Sequence, residues 1–193
     1  MANPTETNGV QEVYLYDPTV LAALDLSTCR GTYKGGISPQ NPGEGLVLRP
    51  LALADYHNGY LQLLKQLTKV GEVSQEQYED RFKKMKACAD TYYVVVIEDK
   101  STGQVIGSAS LIKEQKFIHS TTARARVEDV IVSDQYRGKQ LGKILLDVLL
   151  ILSKAVGCYK VSLECKDNMV QFYTLFGFTN PAGQNYMEHR WFD

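Results

Sequence analysis

The sequence predicts an α/β (α+β) domain with a mixed, mostly antiparallel sheet and helices on both faces. Three observations lead there. Short strand-like runs and amphipathic helical stretches follow one another in the order β-α-α-β-β-β-α-β-α-β, with a final strand closing a pair. The run Tyr92 to Ile97 is apolar without a break, which argues that both faces of that strand are covered. The strongest helix, residues 138–156, is apolar on most sides and stands between two strands, as a buried crossover does. At 193 residues and 44% hydrophobic content, the chain is one ordinary domain with a tail.

Each element has its own signal. Asp17-Pro18 starts a short helix through Leu24, and the Gly-, Ser-, Pro- and Asn-rich stretch Gly31–Gly45 reads as a linker or surface arm. Order begins at Leu46, where LVLRPL makes a strand stopped by Pro50. Residues 53–69 have helical spacing (Tyr56, Tyr60, Leu63, Leu64, Leu67), ended by Gly71. Ser74 and Gln77 form a capping box for a second helix to about Cys88. Thr91–Glu98 and Val105–Ile112 are the strands of a hairpin, turned at Lys100–Gly103. Lys113–Thr122 is a loop or strand edge, and Arg126–Val132 is the next strand. Gly157 ends the long helix. Tyr159–Cys165 is a strand, Met169–Phe176 a short helix, and a last antiparallel pair lies near residue 178 and residues 185–191.

Composition excludes several classes. A net charge of −1 carries no nucleic-acid footprint. The longest apolar run, Ile144–Leu152, is interrupted by Asp147 and is far too short to span a bilayer. The N-terminus lacks the charged-then-apolar pattern of a signal, so a cytoplasmic location is expected. Cys29, Cys88, Cys158 and Cys165 make no C-x-x-C pair and no zinc spacing, so no metal is expected. Seven residues of strand put Cys158 and Cys165 roughly 23 Å apart, too far for a disulfide. Reduced, mostly buried thiols are expected.

The segment Ser133 to Lys143 (SDQYRGKQLGK) joins an apolar strand to the strongest helix. A helix start leaves about four amide N–H groups unpaired and carries about half a positive charge. Gly138 and Gly142 allow close approach of a phosphate, and Arg137, Lys139 and Lys143 add charge. The spacing is neither a Walker A loop nor a dinucleotide fingerprint. VEDVIVSDQYRGKQLGKILL resembles the acetyl-CoA-binding strand, turn and helix of the GNAT acetyltransferases. Arg137 and Gly142 fit that pattern, whereas Gln140 stands where its first glycine usually is. With NPGEGLVLRPL, KFIHS and GCYKVSLEC in order, the resemblance narrows to the branch of that family that acts on glucosamine 6-phosphate. It runs from Ile37 to Trp191, so residues 1–36 are read as a partly irregular N-terminal arm and 37–193 as the GNAT domain.

The resemblance implies acetyl transfer from acetyl-CoA to the amine of that phosphosugar, by direct attack in a ternary complex. It implies that Arg137, Gly138, Lys139, Gln140, Leu141, Gly142 and Lys143 hold the pyrophosphate. It implies that the backbone of Val130, Ile131 and Val132 pairs with the pantetheine arm, with the Val130 N–H on the thioester oxygen. Tyr173 would protonate the leaving sulfur; Met169 stands where the family often has Asn, and Asn168 comes one place early. Glu128 and Asp129 fall at the sugar, where a carboxylate or a backbone carbonyl takes the ammonium proton; Glu128 is the preferred base. Glu164, Thr68, Lys116, Phe117, Ile118, His119 and Arg190 match sugar-contacting positions. Arg190 would reach the neighbouring subunit's site, which implies a homodimer.

Two other readings compete. A GNAT enzyme for a polyamine, an aminoglycoside or a protein N-terminus would need an acidic acceptor site, against which Lys116 and Arg190 argue. A non-catalytic CoA-sensing module would not need Tyr173 or the Glu128–Asp129 pair.

Overall fold

The computed structural model describes residues 12–191. The start of the N-terminal arm, residues 1–11, lies outside the described residues.

The chain forms five strands and six helices among the described residues. They are α1 (Thr19–Ala22), β1 (Leu46–Pro50), α2 (Tyr60–Lys65), α3 (Gln75–Ala87), β2 (Tyr92–Asp99), β3 (Gln104–Gln115), α4 (Ile118–Thr121), β4 (Ala123–Val132), α5 (Leu141–Ala155), β5 (Cys158–Ser162) and α6 (Val170–Thr174). The strands make one sheet in sequence order. Neighbours from β1 to β4 are antiparallel, and β5 joins β4 in parallel through the α5 crossover. This is the predicted mixed, mostly antiparallel α/β (α+β) sheet.

Helices cover both faces, as the apolar run in β2 requires. Val95 and Ile97 face one cluster built on α5, and Val94 and Val96 face a second built on Tyr60, Leu63, Tyr78 and Phe82. These four β2 side chains are at most 1% exposed. The capping box forms as read: Ser74 Oγ accepts from the Gln77 amide at 3.2 Å, and Gln77 Oε1 accepts from the Ser74 amide at 2.8 Å. The Asp17-Pro18 start also holds, with Asp17 accepting the Thr19 amide at 2.9 Å.

Several boundaries differ for physical reasons. The helix expected over 53–69 is a 3-10 turn at Leu53–Tyr56 and then α2. Gly59, at φ 81°, separates them, and α2 ends at Lys65, well before Gly71. The long helix begins at Leu141 rather than 138, because Gly138 (φ 80°) and Gln140 (φ 65°) both take left-handed conformations. Order begins before Leu46: Leu15 is buried, and Tyr16, Leu24, Leu26 and Tyr33 pack on the core. The last antiparallel pair does not form, and no strand follows β5 among the described residues. Tyr186, Met187 and Trp191 of that tail are 60%, 89% and 81% exposed, so its apolar side chains meet nothing on this chain that would fix a register. The thiols correct another expectation: none of the four is buried, and Cys88 and Cys165 are exposed.

Candidate active site

The seam between β4 and β5 organises the site. The two strands pair only from Ala123 to Arg126, against Cys158 to Ser162. Beyond Arg126, β4 continues to Val132 while β5 stops, so one edge of β4 loses its neighbour. At the same level β4 bulges. Ser110 sits opposite Glu128 and Ser108 opposite Ile131, so Asp129 and Val130 together face Ala109. Asp129 absorbs the extra residue at φ 52°, a conformation Asp tolerates better than most. The bulge shifts the side-chain alternation. Val127 packs in the α5 cluster and Ile131 in the opposite one, although four residues of unbroken strand would leave them on the same face.

The free edge of β4 leads into the turn that opens α5. A 3-10 turn at Asp134–Tyr136 is followed by Gly138, Gln140 and the helix start at Leu141. Both glycines leave open space. A Cβ on Gly138 would meet nothing within 4 Å, and one on Gly142 would meet only Val132 Cγ2, at 3.9 Å. The space beside both glycines suits close approach of an anion to the helix start, although the Lys139 and Lys143 amides are already paired with the Tyr136 and Gln140 carbonyls. Arg137 pairs with Asp134, and Lys139 lies 4.5 Å from the centre of the Tyr136 ring.

Carboxylates stand along the seam. Arg126 bridges Glu128 (3.0 Å) and Glu164; neither acid is buried, and Glu164 is exposed. Asp129 is exposed and has no such partner among the described residues, and partial desolvation by the atoms around it pushes its carboxyl above the usual range. Tyr173, on α6, is half-buried between Phe172 (5.2 Å) and Phe178 (6.0 Å). Burial, then the Cys165 thiol, raise the Tyr173 hydroxyl above its ordinary pKa. Arg126, Glu164, Tyr173 and Arg190 line one wide groove of about 1690 Å³.

Other expected residues lie apart. Thr68 is exposed in the turn after α2, where Gln66 Oε1 accepts the Asp134 amide at 2.9 Å and ties that turn to the start of the α5 loop. Lys116 is held by Glu114 at 2.6 Å. Arg124, then Lys116, hold the Glu114 carboxyl down to about 2. Phe117 and Ile118 are 96% and 60% exposed, and His119 stacks on Tyr159 at 4.3 Å. Ser110 faces Glu128, so Lys116 lies six residues of strand away, roughly 20 Å. One chain does not bring Lys116–His119 to Glu128. Arg190 pairs with Glu188 in the exposed tail, at 3.1 Å.

Sequence reasoning passed over three features. Arg126 was visible as a strand-end cation two residues before Glu128. Asp147, which interrupts the most apolar run, was visible as a lone acid inside the most apolar helix. It is 1% exposed and accepts hydrogen bonds from the Arg30 amide (2.8 Å), the Gly31 amide (2.9 Å) and the Tyr33 hydroxyl (2.6 Å). The bulge had no local signal.

This sheet, parted between its fourth and fifth strands and running into an open helix start, matches a known family. Residues 57–178 match the Acetyltransferase (GNAT) family. The chain belongs to the GNAT acetyltransferases. Within the family, it is 48% identical over 183 residues to the probable glucosamine 6-phosphate N-acetyltransferase of Drosophila melanogaster, covering 94% of this chain and 83% of that protein. The crystal structure of glucosamine-6-phosphate N-acetyltransferase from Arabidopsis thaliana superposes with a TM-score of 0.72 at 33% identity, covering 78% of this chain and 100% of that one. A more distant structure, a predicted acetyltransferase from Clostridium acetobutylicum solved with acetyl-CoA, shares the fold at a TM-score of 0.56 and 15% identity, over 74% of this chain and 96% of its own. GNAT enzymes take their acetyl group from acetyl-CoA, and the seam and turn of this chain fit that donor. Among the described residues no helix is long and apolar enough to cross a membrane. Nor does any group of three or more His, Cys, Asp or Glu gather there as a metal would require.

Proposed function

We propose that this GNAT acetyltransferase transfers the acetyl group of acetyl-CoA to the amine of D-glucosamine 6-phosphate, giving N-acetyl-D-glucosamine 6-phosphate and CoA. The proposal includes a cytoplasmic enzyme of amino-sugar biosynthesis. The observation that carries it is the parted seam, which ends at the α5 N-terminus and is bordered by Glu128, Asp129 and Tyr173. Its similarity to the Drosophila and Arabidopsis proteins so named supports the acceptor.

The roles follow from the chemistry. First-turn amides from Gly138 to Lys143 hold the pyrophosphate of the donor. The free edge of β4 at Val130–Val132 pairs with the pantetheine amides, and the Val130 N–H polarises the thioester carbonyl. The sugar amine attacks that carbonyl directly, the C–S bond breaks, and Tyr173 gives its proton to the leaving sulfur. Of the two strand acids, Asp129 fits the proton acceptor better than the expected Glu128. Glu128 is committed to Arg126, whereas Asp129 stands exposed with no cation beside it among the described residues, and partial desolvation raises its affinity for a proton. Glu164 would take a sugar hydroxyl.

The phosphate grip requires a second copy of the chain. Lys116–His119 stand away from Glu128, and the tail with Arg190 borders the groove of its own chain without being packed down; both carry exposed apolar side chains, at Phe117, Ile118, Tyr186 and Met187. In a homodimer these surfaces bury each other and bring Lys116 and Arg190 to the partner's phosphosugar.

Arg190→Ala is expected to raise KM for glucosamine 6-phosphate at least tenfold, the loss of one charge-assisted contact, with KM for acetyl-CoA within about twofold. Equal effects on both substrates would remove its phosphate role. Mixing Arg190→Ala protein with Asp129→Asn protein regenerates activity, because one site of the mixed dimer carries neither substitution. No recovery would mean that sites are not shared.

A further inference from the structure

The segment Arg30–Lys34 lies along the start of α5 and is fastened there at three levels. Asp147, buried inside the helix, accepts from the Arg30 and Gly31 amides and from Tyr33 Oη. One turn earlier, Lys143 Nζ donates to the Thr32 carbonyl at 3.3 Å. At the helix start, Gln140 Oε1 accepts the Lys34 amide and Gln140 Nε2 donates to the Lys34 carbonyl, both at 3.0 Å. A carboxamide reading both backbone groups of one residue fixes that residue as a neighbouring strand would.

Gln140 makes these contacts from a backbone conformation that disfavours a side chain, φ 65°. Glycine would be the unstrained choice there. The contact to Lys34 is what the side chain provides in exchange. Close packing points the same way: a Cβ on Gly31 would stand 2.6 Å from Asp147 Oδ2, so the segment lies flush against the helix only with glycine at that position.

We propose that Arg30–Lys34 is a strap that holds the acetyl-CoA turn in its binding geometry, with Gln140 as the positioning residue. The inference rests on the reading of Gly138–Lys143 as the pyrophosphate grip. Gln140 and Lys143 belong to that turn, so an undocked strap frees both ends of it. Ordering the turn for the nucleotide is then coupled to docking the strap, and the coupling is reciprocal: bound CoA holds the strap down.

The test measures CoA affinity by titration calorimetry, and trypsin cleavage after Arg30 and Lys34 with and without saturating CoA. In the unsubstituted chain CoA slows both cleavages. Gln140→Gly, which relieves the left-handed strain, and Gly31→Ala, which lifts the strap from Asp147 without touching the turn, each weaken CoA binding about tenfold. Each also loses the protection, while KM for glucosamine 6-phosphate stays within about twofold. A strap that only stabilises the fold would give changed melting temperatures with unchanged CoA affinity and protection, and that result overturns the proposal. Gly142→Glu separates the underlying reading, because it sets a carboxylate where the pyrophosphate would lie. If Gly142→Glu abolishes CoA binding while Gln140→Gly and Gly31→Ala leave it intact, only the strap fails. If Gly142→Glu binds CoA normally, the turn is not the grip and both ideas fall.

Discussion

Tyr173→Phe lowers kcat by about 10²-fold or more, the usual contribution of a positioned general acid, and leaves CoA affinity within about twofold. The phenyl ring keeps its contacts with Phe172 and Phe178, so the loss is confined to the proton. The pH profile gives a second check. The Tyr173 hydroxyl is pushed above its ordinary value near 10, so it stays protonated throughout the neutral range. An alkaline limb in kcat with a midpoint well below 10 belongs to another group. Steady-state kinetics of both proteins between pH 6 and about 10 decide the matter. A Phe variant with full kcat would assign the leaving-group proton elsewhere.

The second large effect is on stability. Arg49 and Asp55 form a buried two-pronged pair at 2.8 and 2.7 Å, with Asp55 fully buried. Asp55 also accepts the Ala52 amide at 2.8 Å, and Arg49 reaches Glu98 at 2.5 Å. This network pins the 3-10 turn before α2 to β1 and β2. Asp55→Ala leaves the buried Arg49 cation with Glu98 as its remaining carboxylate partner, opens a cavity beside it and orphans the Ala52 amide. A loss of about 3 kcal/mol is expected, which lowers the melting temperature by roughly 10 °C in a chain of this size. Thermal unfolding measures it. A shift under about 2 °C would mean the network relaxes or takes in water.

The locally encoded parts of this fold were legible in the sequence. The Ser74–Gln77 capping box, the β2–β3 hairpin and the buried crossover helix each depend on neighbours a few residues away, and all three form. The glycine-bearing turn was legible for the same reason, since Gly138 and Gly142 open it without help from distant residues. What escaped depends on partners far along the chain. The Asp129 bulge is a mismatch between β4 and β3, and nothing in VEDVIV announces it. Docking of residues 30–34 requires Asp147 more than 110 residues away, so a Gly-rich segment that reads as a linker is tied to the core. The helical spacing across 53–69 gives way at Gly59, where the turn residue outweighs the pattern around it. The tail after Phe178 carries Tyr186, Met187 and Trp191 exposed, since one chain offers them no surface to cover.

The central claim is the acceptor. The direct test follows CoA thiol release from acetyl-CoA with glucosamine 6-phosphate, glucosamine and spermidine as separate acceptors. The account predicts turnover on the phosphorylated sugar, with kcat/KM at least about 10²-fold higher than on glucosamine, as the loss of two charge-assisted phosphate contacts requires. Equal turnover on glucosamine, preference for spermidine, or tight CoA binding with no turnover on any of the three would contradict it.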